Sequence, residues 1–92
     1  MTHNQYFNGK VQSLGFNGPE GPATVGVMEP GTYTFQTKAE ERISIFTGTL
    51  KIKLPNSSDW QPVEAGDSFT VPANSSFEVE VSSDTAYICF YK

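Results

Sequence analysis

The stretch "EAGDSFTVPANSSFEVEV", residues 64–81, decides the fold class. It opens with a turn signal at Gly66, runs through five residues to Pro72, crosses a short polar loop and ends in "FEVEV", where apolar and acidic residues alternate. Successive side chains of a β-strand point to opposite faces, so this alternation indicates one buried face and one wet face. The stretch therefore predicts a β-strand entered from a tight polar loop.

The same period-two pattern recurs along the chain. In "TLKIKL", residues 49–54, three aliphatic residues share one face and two lysines share the other, and no stretch has apolar residues at helical spacing. Turn signals separate about eight such runs. They lie at residues 17–22, 30–31, 48, 55–59, 65–66 and 82–84. This spacing predicts an all-β domain, either a β-sandwich or a barrel made of two antiparallel sheets.

Composition limits the chain to one domain and excludes several classes of function. With 92 residues there is room for one core, over residues 1–92, and residues 1 to about 5 are expected to be flexible. The chain has 10 acidic and 6 basic residues, and no basic cluster interleaves with aromatics, which disfavours nucleic acid as a partner. No apolar run approaches the roughly 20 residues of a membrane span, and no signal peptide is evident. The expected location is the cytoplasm.

The C-terminal run "AYICFYK", residues 86–92, is apolar on both faces. One face must meet the interior, so the other needs a cover, either a second copy of the chain in a homodimer or the N-terminal segment around Tyr6 and Phe7. Cys89 lies in this run and is expected to be a packed hydrophobe. A nucleophilic cysteine needs a basic partner, and the one histidine, His3, lies in the segment expected to be mobile.

Two short patterns resemble the sequence elements of cupin barrels. In the first, Glu41 and Gly48 are separated by six residues, and in the second, Gly66 and Pro72 are separated by five. Metal-binding cupins carry a His-x-His ahead of that glutamate and a further histidine five positions after the proline. The resemblance implies a single-domain, jelly-roll-like antiparallel β-barrel of the cupin type.

Most of the metal-ligand positions of the cupin pattern are occupied by other residues in this chain. Phe35, Thr37 and Phe77 stand where the three histidines would be, and no other group of donors in the sequence replaces them. A transition metal typically takes three or four protein ligands. The sequence therefore predicts no metal site, and an apolar, hydroxyl-bearing pocket in its place.

The chain as a whole resembles the small single-domain cupin family of pyrimidine/purine nucleoside phosphorylases. The resemblance runs from about Tyr6 to Tyr91 and is carried by "YFNGKVQSLGF", "TVGVMEPGTYTF", "FTGTLKIKLP", "SSDWQPVEAG", "FTVPANSSFEV" and "AYICFY". It implies phosphate-dependent cleavage of a broad range of ribonucleosides to free base and ribose 1-phosphate. No cofactor is implied, because inorganic phosphate is the co-substrate.

Glu41 is the predicted catalytic carboxylate, because the cupin comparison places it near the barrel mouth. It would hold the ribose hydroxyls or stabilise positive charge at C1′ of the sugar. The alternative is an exposed glutamate at a strand start, paired with Lys38 or Arg42.

Aromatic residues near the lost metal positions are the predicted nucleoside-binding groups. Phe35, Phe77 and Tyr33 would give a base a flat apolar surface, and Thr37 would hydrogen-bond the ribose. The alternatives are that the phenylalanines fill the interior of a small barrel and that Thr37 pins a loop.

The sequence offers no helix N-terminus as a phosphate-binding site, because no glycine-rich loop leads into a helix. Arg42, the only arginine, is the predicted phosphate ligand, with Lys38, Asn74 and Ser75 as further donors. A solvated Arg42 is the alternative. Two rival functions also stay open: a cupin that binds or senses a small molecule without turnover, and a structural partner protein with no saturable ligand.

Overall fold

The computed structural model describes all 92 residues, Met1–Lys92, and consists of ten β-strands with no helix. The strands are β1 (Thr2–Tyr6), β2 (Val11–Gly18), β3 (Gly21–Met28), β4 (Gly31–Gln36), β5 (Glu41–Thr47), β6 (Leu50–Lys53), β7 (Gln61–Val63), β8 (Ser68–Val71), β9 (Ser76–Val81) and β10 (Thr85–Tyr91). The all-β prediction is confirmed. Ten strands replace the expected eight, partly because β1 lies in the segment expected to be flexible and β7 is only three residues long.

All strand pairs are antiparallel and form two sheets. The first sheet has six strands in the order β1-β2-β3-β10-β5-β8, and the second has four in the order β4-β9-β6-β7. No helix is long and apolar enough to cross a membrane.

The inward faces of the two sheets form the core, as the alternating sequence predicts. On β9, Phe77, Val79 and Val81 are buried while Glu80 is exposed. Thirteen buried residues make one hydrophobic cluster: Val11, Met28, Tyr33, Ile43, Ile45, Leu50, Ile52, Val63, Val71, Phe77, Val79, Val81 and Cys89. Burial of these side chains is the main stabilising term for a chain without disulfides.

The N-terminal segment, which the sequence predicts to be flexible, forms a β-strand in the structure. Residues 2 to 6 pair with residues 11 to 15 as an edge strand, because β2 offers an unpaired edge to which a short strand can add. A turn at Phe7, Asn8 and Gly9, all with positive φ, reverses the chain. The Phe7 ring contacts Tyr33 and Phe35 of the second sheet, so the turn reaches the gap between the sheets.

The outer face of β10 is not covered by the N-terminal segment, contrary to one of the two expectations for that face. Ile88 lies between Val25 and Ser44 in the sheet register, while Tyr6 and Phe7 line the interior instead. Several large apolar side chains of the chain stay exposed, among them Leu14, Phe16, Val25, Val27 and Phe46.

Candidate active site

A cavity of about 270 Å³ lies between the two sheets. Its wall is formed by 18 residues, of which 13 are hydrophobic, and it receives side chains from both sheets. Three residues predicted from the sequence, Phe35, Glu41 and Phe77, meet in this wall. An apolar cavity with a few convergent polar groups is the usual form of a small-molecule site.

One side of the cavity is an aromatic wall, which consists of Phe7, Phe35, Phe69 and Phe77. Phe35 and Phe77 face each other in the register of β4 and β9, and their ring centroids lie 5.5 Å apart at an interplanar angle of 29°. Phe7 meets Phe35 edge-on at 5.5 Å, and Phe69 meets Phe77 at 6.2 Å. These geometries match favourable aromatic packing and present flat apolar surface to the cavity.

The other side is a polar wall on the first sheet, which consists of Thr24, Glu41, Cys89 and Tyr91. The Cys89 thiol donates a hydrogen bond to Oε1 of Glu41 at 3.4 Å, and the hydroxyls of Thr24 and Tyr91 are 3.1 Å apart. Glu41 is directly opposite Tyr91 in the sheet register, because β5 and β10 are neighbours. The fold thus gathers these groups from three adjacent strands.

Burial raises the pKa of the acidic groups in and beside the polar wall. It raises the pKa of the half-buried Glu41 carboxyl, and the hydrogen bond from Cys89 opposes that rise. Burial, reinforced by the nearby Glu41 carboxyl, raises the pKa of the Cys89 thiol to about 12. Burial also raises the pKa of Tyr91 and brings that of Tyr87 to about 12. At neutral pH the wall therefore presents hydroxyl and thiol groups rather than their anions.

Arg42, the predicted phosphate ligand, does not line the cavity. Its side chain lies against the Phe90 ring at 4.6 Å from the centroid, and its guanidinium is 3.5 Å from the Glu20 carboxylate. The physical reason is the alternation of β5, which turns Arg42 outward because its neighbour Glu41 points inward. No lysine, arginine or histidine lines the cavity at all.

Lys38, Asn74 and Ser75 also lie outside the cavity wall. Lys38 is exposed in the β4–β5 connection, and Asn74 adopts a left-handed φ of 55° in the β8–β9 loop, which an asparagine tolerates well. The Ser75 hydroxyl donates to the Pro72 carbonyl at 2.7 Å, so it stabilises its own loop.

Thr37 and Tyr33, both predicted to contact the nucleoside, are buried elsewhere. The Thr37 hydroxyl donates to the Pro72 carbonyl at 2.7 Å and accepts from the Ser75 backbone NH at 3.0 Å, so it pins the β8–β9 loop. The Tyr33 hydroxyl donates to the Glu29 carbonyl at 2.6 Å, and its ring packs behind the aromatic wall. These hydrogen bonds favour the alternative role of Thr37, in which its hydroxyl holds a loop in place.

The sequence-based prediction missed the contributions of β10 and of the N-terminus. Tyr87, Cys89 and Tyr91 line the cavity from β10, and Tyr6 and Phe7 line it from the β1–β2 hairpin. For β10 the sequence did hold a signal, since these three residues occupy every second position and therefore share one face of the strand. Nothing in the local pattern of the N-terminus predicts that a turn inserts a ring between two sheets.

The residues present do not fit a transition metal of the kind that many cupins bind. No group of three or more His, Cys, Asp or Glu side chains lies close enough together to hold an ion. Phenyl rings occupy positions 35 and 77, and the Thr37 hydroxyl is engaged by the loop. A carboxyl and a thiol alone fall short of the typical ligand set.

Comparison with known proteins places the chain in a family. The family model described as "Pyrimidine/purine nucleoside phosphorylase" matches residues 1–91. A protein of that name from Pseudomonas putida strain F1 is 53% identical over 89 residues, which cover 97% of this chain and 95% of the relative. One from Hahella chejuensis is 49% identical, with coverage of 96% and 95%.

Solved structures agree with this placement. A protein of unknown function from Vibrio parahaemolyticus superposes with a TM-score of 0.92 at 48% identity, over 96% of this chain and 94% of that one. An RmlC-like cupin from Shewanella frigidimarina, 14% identical, superposes with a TM-score of 0.71 over 92% of this chain and 78% of that one, which supports the cupin fold. The chain therefore belongs to the pyrimidine/purine nucleoside phosphorylase family.

Proposed function

We propose that this chain cleaves purine and pyrimidine ribonucleosides with phosphate, without a metal ion, to give the free base and ribose 1-phosphate. The relatives are named nucleoside phosphorylases, which supports the general activity. The observation that carries the proposal is the division of one cavity into an aromatic wall and a polar wall that holds its only carboxyl group, that of Glu41.

The aromatic wall suits the base. The Phe35–Phe77 pair offers a stacking surface, and stacking tolerates every base because every base has a π-face. A broad substrate range follows from recognition by ring shape rather than by hydrogen bonds to base edges.

The polar wall suits the ribose and its reaction. Breaking the bond between C1′ and the base gives the sugar oxocarbenium character, and carboxyl groups and hydroxyls are the usual partners of such a transition state. Glu41 and the Thr24–Tyr91 hydroxyl pair provide these groups on the side opposite the aromatic wall.

Phosphate in this cavity would be held by neutral donors. The hydroxyls of Ser13, Thr24 and Tyr91 and the amide of Gln36 belong to the cavity wall, where no cation is present. Arg42 takes no part in this binding, because its guanidinium is engaged on the opposite face of the sheet.

The proposed activity is tested with chelator-treated protein, uridine and inosine, with and without phosphate, while free base is followed by chromatography. We expect base release that requires phosphate and persists after chelation. Arg42→Gln is the matched control and should react like the wild type. Release without phosphate, or release lost on chelation, would contradict the proposal.

The same cavity also supports a second function, the binding of a nucleoside or sugar without turnover. The observation in its favour is the lack of a cation in the wall, since a neutral ligand needs none. Saturable nucleoside binding by calorimetry, with no base released in the presence of phosphate, would select this function.

We further propose that the chain forms a homodimer through the outer face of the six-stranded sheet. The sheet register aligns Leu14, Val25 and Ile88 in one row across β2, β3 and β10, in which Leu14 and Val25 are exposed and Ile88 is partly buried. A second copy of this face is a self-complementary cover, as in isologous dimers.

Sedimentation velocity tests the dimer. The wild type is expected to sediment as a dimer, whereas Val25→Glu, which places a charge at the centre of the apolar row, should give a monomer. Lys51→Glu, on the wet face of β6, is the control and should stay dimeric. A monomeric wild type at micromolar concentration would contradict this arrangement.

A further inference from the structure

The surroundings of Glu41 indicate how the leaving base obtains its proton. The question rests on the proposed phosphorolysis, in which the bond between C1′ and the base breaks and the base nitrogen receives the bonding electrons. Glu41 carries the only carboxyl group in the cavity wall, which contains no lysine, arginine or histidine. Its Oε1 accepts the Cys89 thiol, while its Oε2 has no hydrogen-bond partner in the protein.

No cation faces Glu41 from any strand packed against it. From β10 the facing titratable groups are Cys89, Tyr87 and Tyr91, and from β1 the group is Tyr6. The facing residues of β3 and β8, Thr24 and Val71, do not titrate.

The charged neighbours of Glu41 along the chain are turned away and paired with other groups. Glu40 lies 3.5 Å from Lys92, and Arg42 lies 3.5 Å from Glu20. The cavity therefore favours the neutral acid form of Glu41, and burial raises the pKa of this carboxyl accordingly.

We propose that Glu41 enters the reaction protonated and donates the Oε2 proton to the departing base, as a general acid. A phosphate oxygen attacks C1′ as the base leaves. The resulting Glu41 carboxylate then takes the proton of the attacking hydrogen phosphate. Nucleoside and hydrogen phosphate thus give protonated base and ribose 1-phosphate, with no net gain or loss of protons.

The neutral carboxyl also explains how the cavity tolerates phosphate. A carboxylate beside a phosphate dianion would repel it in a low-dielectric site, whereas a neutral carboxylic acid does not. Cys89 acts as a positioning residue, because its thiol occupies Oε1 and leaves the proton-bearing Oε2 free toward the cavity.

The proposal is tested with two substrates whose leaving groups differ in basicity. Wild type and Glu41→Gln are compared with inosine and with 4-nitrophenyl β-riboside, whose nitrophenolate departs without a proton. Glu41→Gln should lose about 10²–10⁴-fold in kcat with inosine, the usual contribution of general acid catalysis. With the nitrophenyl riboside it should stay within about tenfold of the wild type. The near-isosteric change is checked for folding by circular dichroism.

The remaining outcomes distinguish the proton donor role of Glu41 from the proposed phosphorolysis itself. Equal loss with both substrates would overturn the proton donor role and assign Glu41 to the sugar. No loss with either would remove Glu41 from the reaction. A wild type that does not cleave inosine would refute the phosphorolysis itself and the acid role with it.

The pH profile gives a second readout, which also tests Cys89. With inosine, wild-type kcat/KM should fall as pH rises through the pKa of Glu41, and this basic limb should be absent from Glu41→Gln. Cys89→Ala removes a hydrogen bond that lowers the pKa of Glu41, so its basic limb should move to higher pH. Cys89→Ser should restore the wild-type profile. If the basic limb of the Cys89→Ala profile lies at the same pH as that of the wild type, the positioning role of Cys89 is overturned.

Discussion

Gly48→Ala is expected to lower the free energy of unfolding by about 3 kcal/mol or more, through overpacking and backbone strain together. Gly48 has a φ of 125°, which L side chains rarely adopt. An added Cβ would lie 2.6 Å from the Thr85 Cα and 2.7 Å from the Thr85 Cβ. Thr85 has no room to move, because it is completely buried and its hydroxyl donates to the Ser83 carbonyl at 2.9 Å.

Gly66→Ala is the matched control for this effect. Gly66 also has a positive φ, of 90°, but nothing lies within 4 Å of a Cβ built there. It should lose about 1 kcal/mol, from backbone strain alone. Urea unfolding of both variants makes the comparison. Equal losses in the two variants would show that the contact with Thr85 is not the cause.

Phe77→Ala is expected to damage both stability and nucleoside binding. Removing a buried phenylalanine typically costs about 3–5 kcal/mol of stability. Loss of the stacked surface, worth about 1–3 kcal/mol per base, should raise the KM for nucleosides roughly 10- to 100-fold. Phe77 is 5% exposed and contacts both Phe35 and Phe69, so its side chain serves the core and the cavity together.

Two further variants separate these effects. Phe77→Leu keeps most of the volume and should fold well while still losing the stacking. Val81→Ala, on the same strand and buried but outside the cavity wall, should lose stability without a change in KM. If Phe77→Leu binds nucleosides as tightly as the wild type, the aromatic wall is not the base site.

The sequence predicts the fold class well because each strand has one buried and one wet face. The alternation of Phe77, Val79 and Val81 with acidic residues marks β9 without any tertiary information. The N-terminal strand is less visible, because "THNQY" is polar and pairs through its backbone and through polar side chains rather than through an apolar face. Its place is decided by the free edge of β2, which is a property of the sheet.

About half of the candidate site could be predicted from the sequence, for a similar reason. Phe35, Glu41 and Phe77, which the cupin pattern selects, line one cavity, since the pattern encodes positions in a shared barrel. Arg42 lies outside the cavity wall, and alternation along β5 accounts for this, because adjacent residues of a strand point to opposite faces. Tyr91 and Thr24 meet across 67 positions of sequence, a contact that no local pattern reveals.

A crystal structure of the protein soaked with inosine in the absence of phosphate would show where the nucleoside binds. We expect density for the nucleoside between the two sheets, with the purine against Phe35 and Phe77 and the ribose beside Glu41. Density on the outer face, near Arg42 and Phe90, with the cavity unchanged, would contradict this expectation.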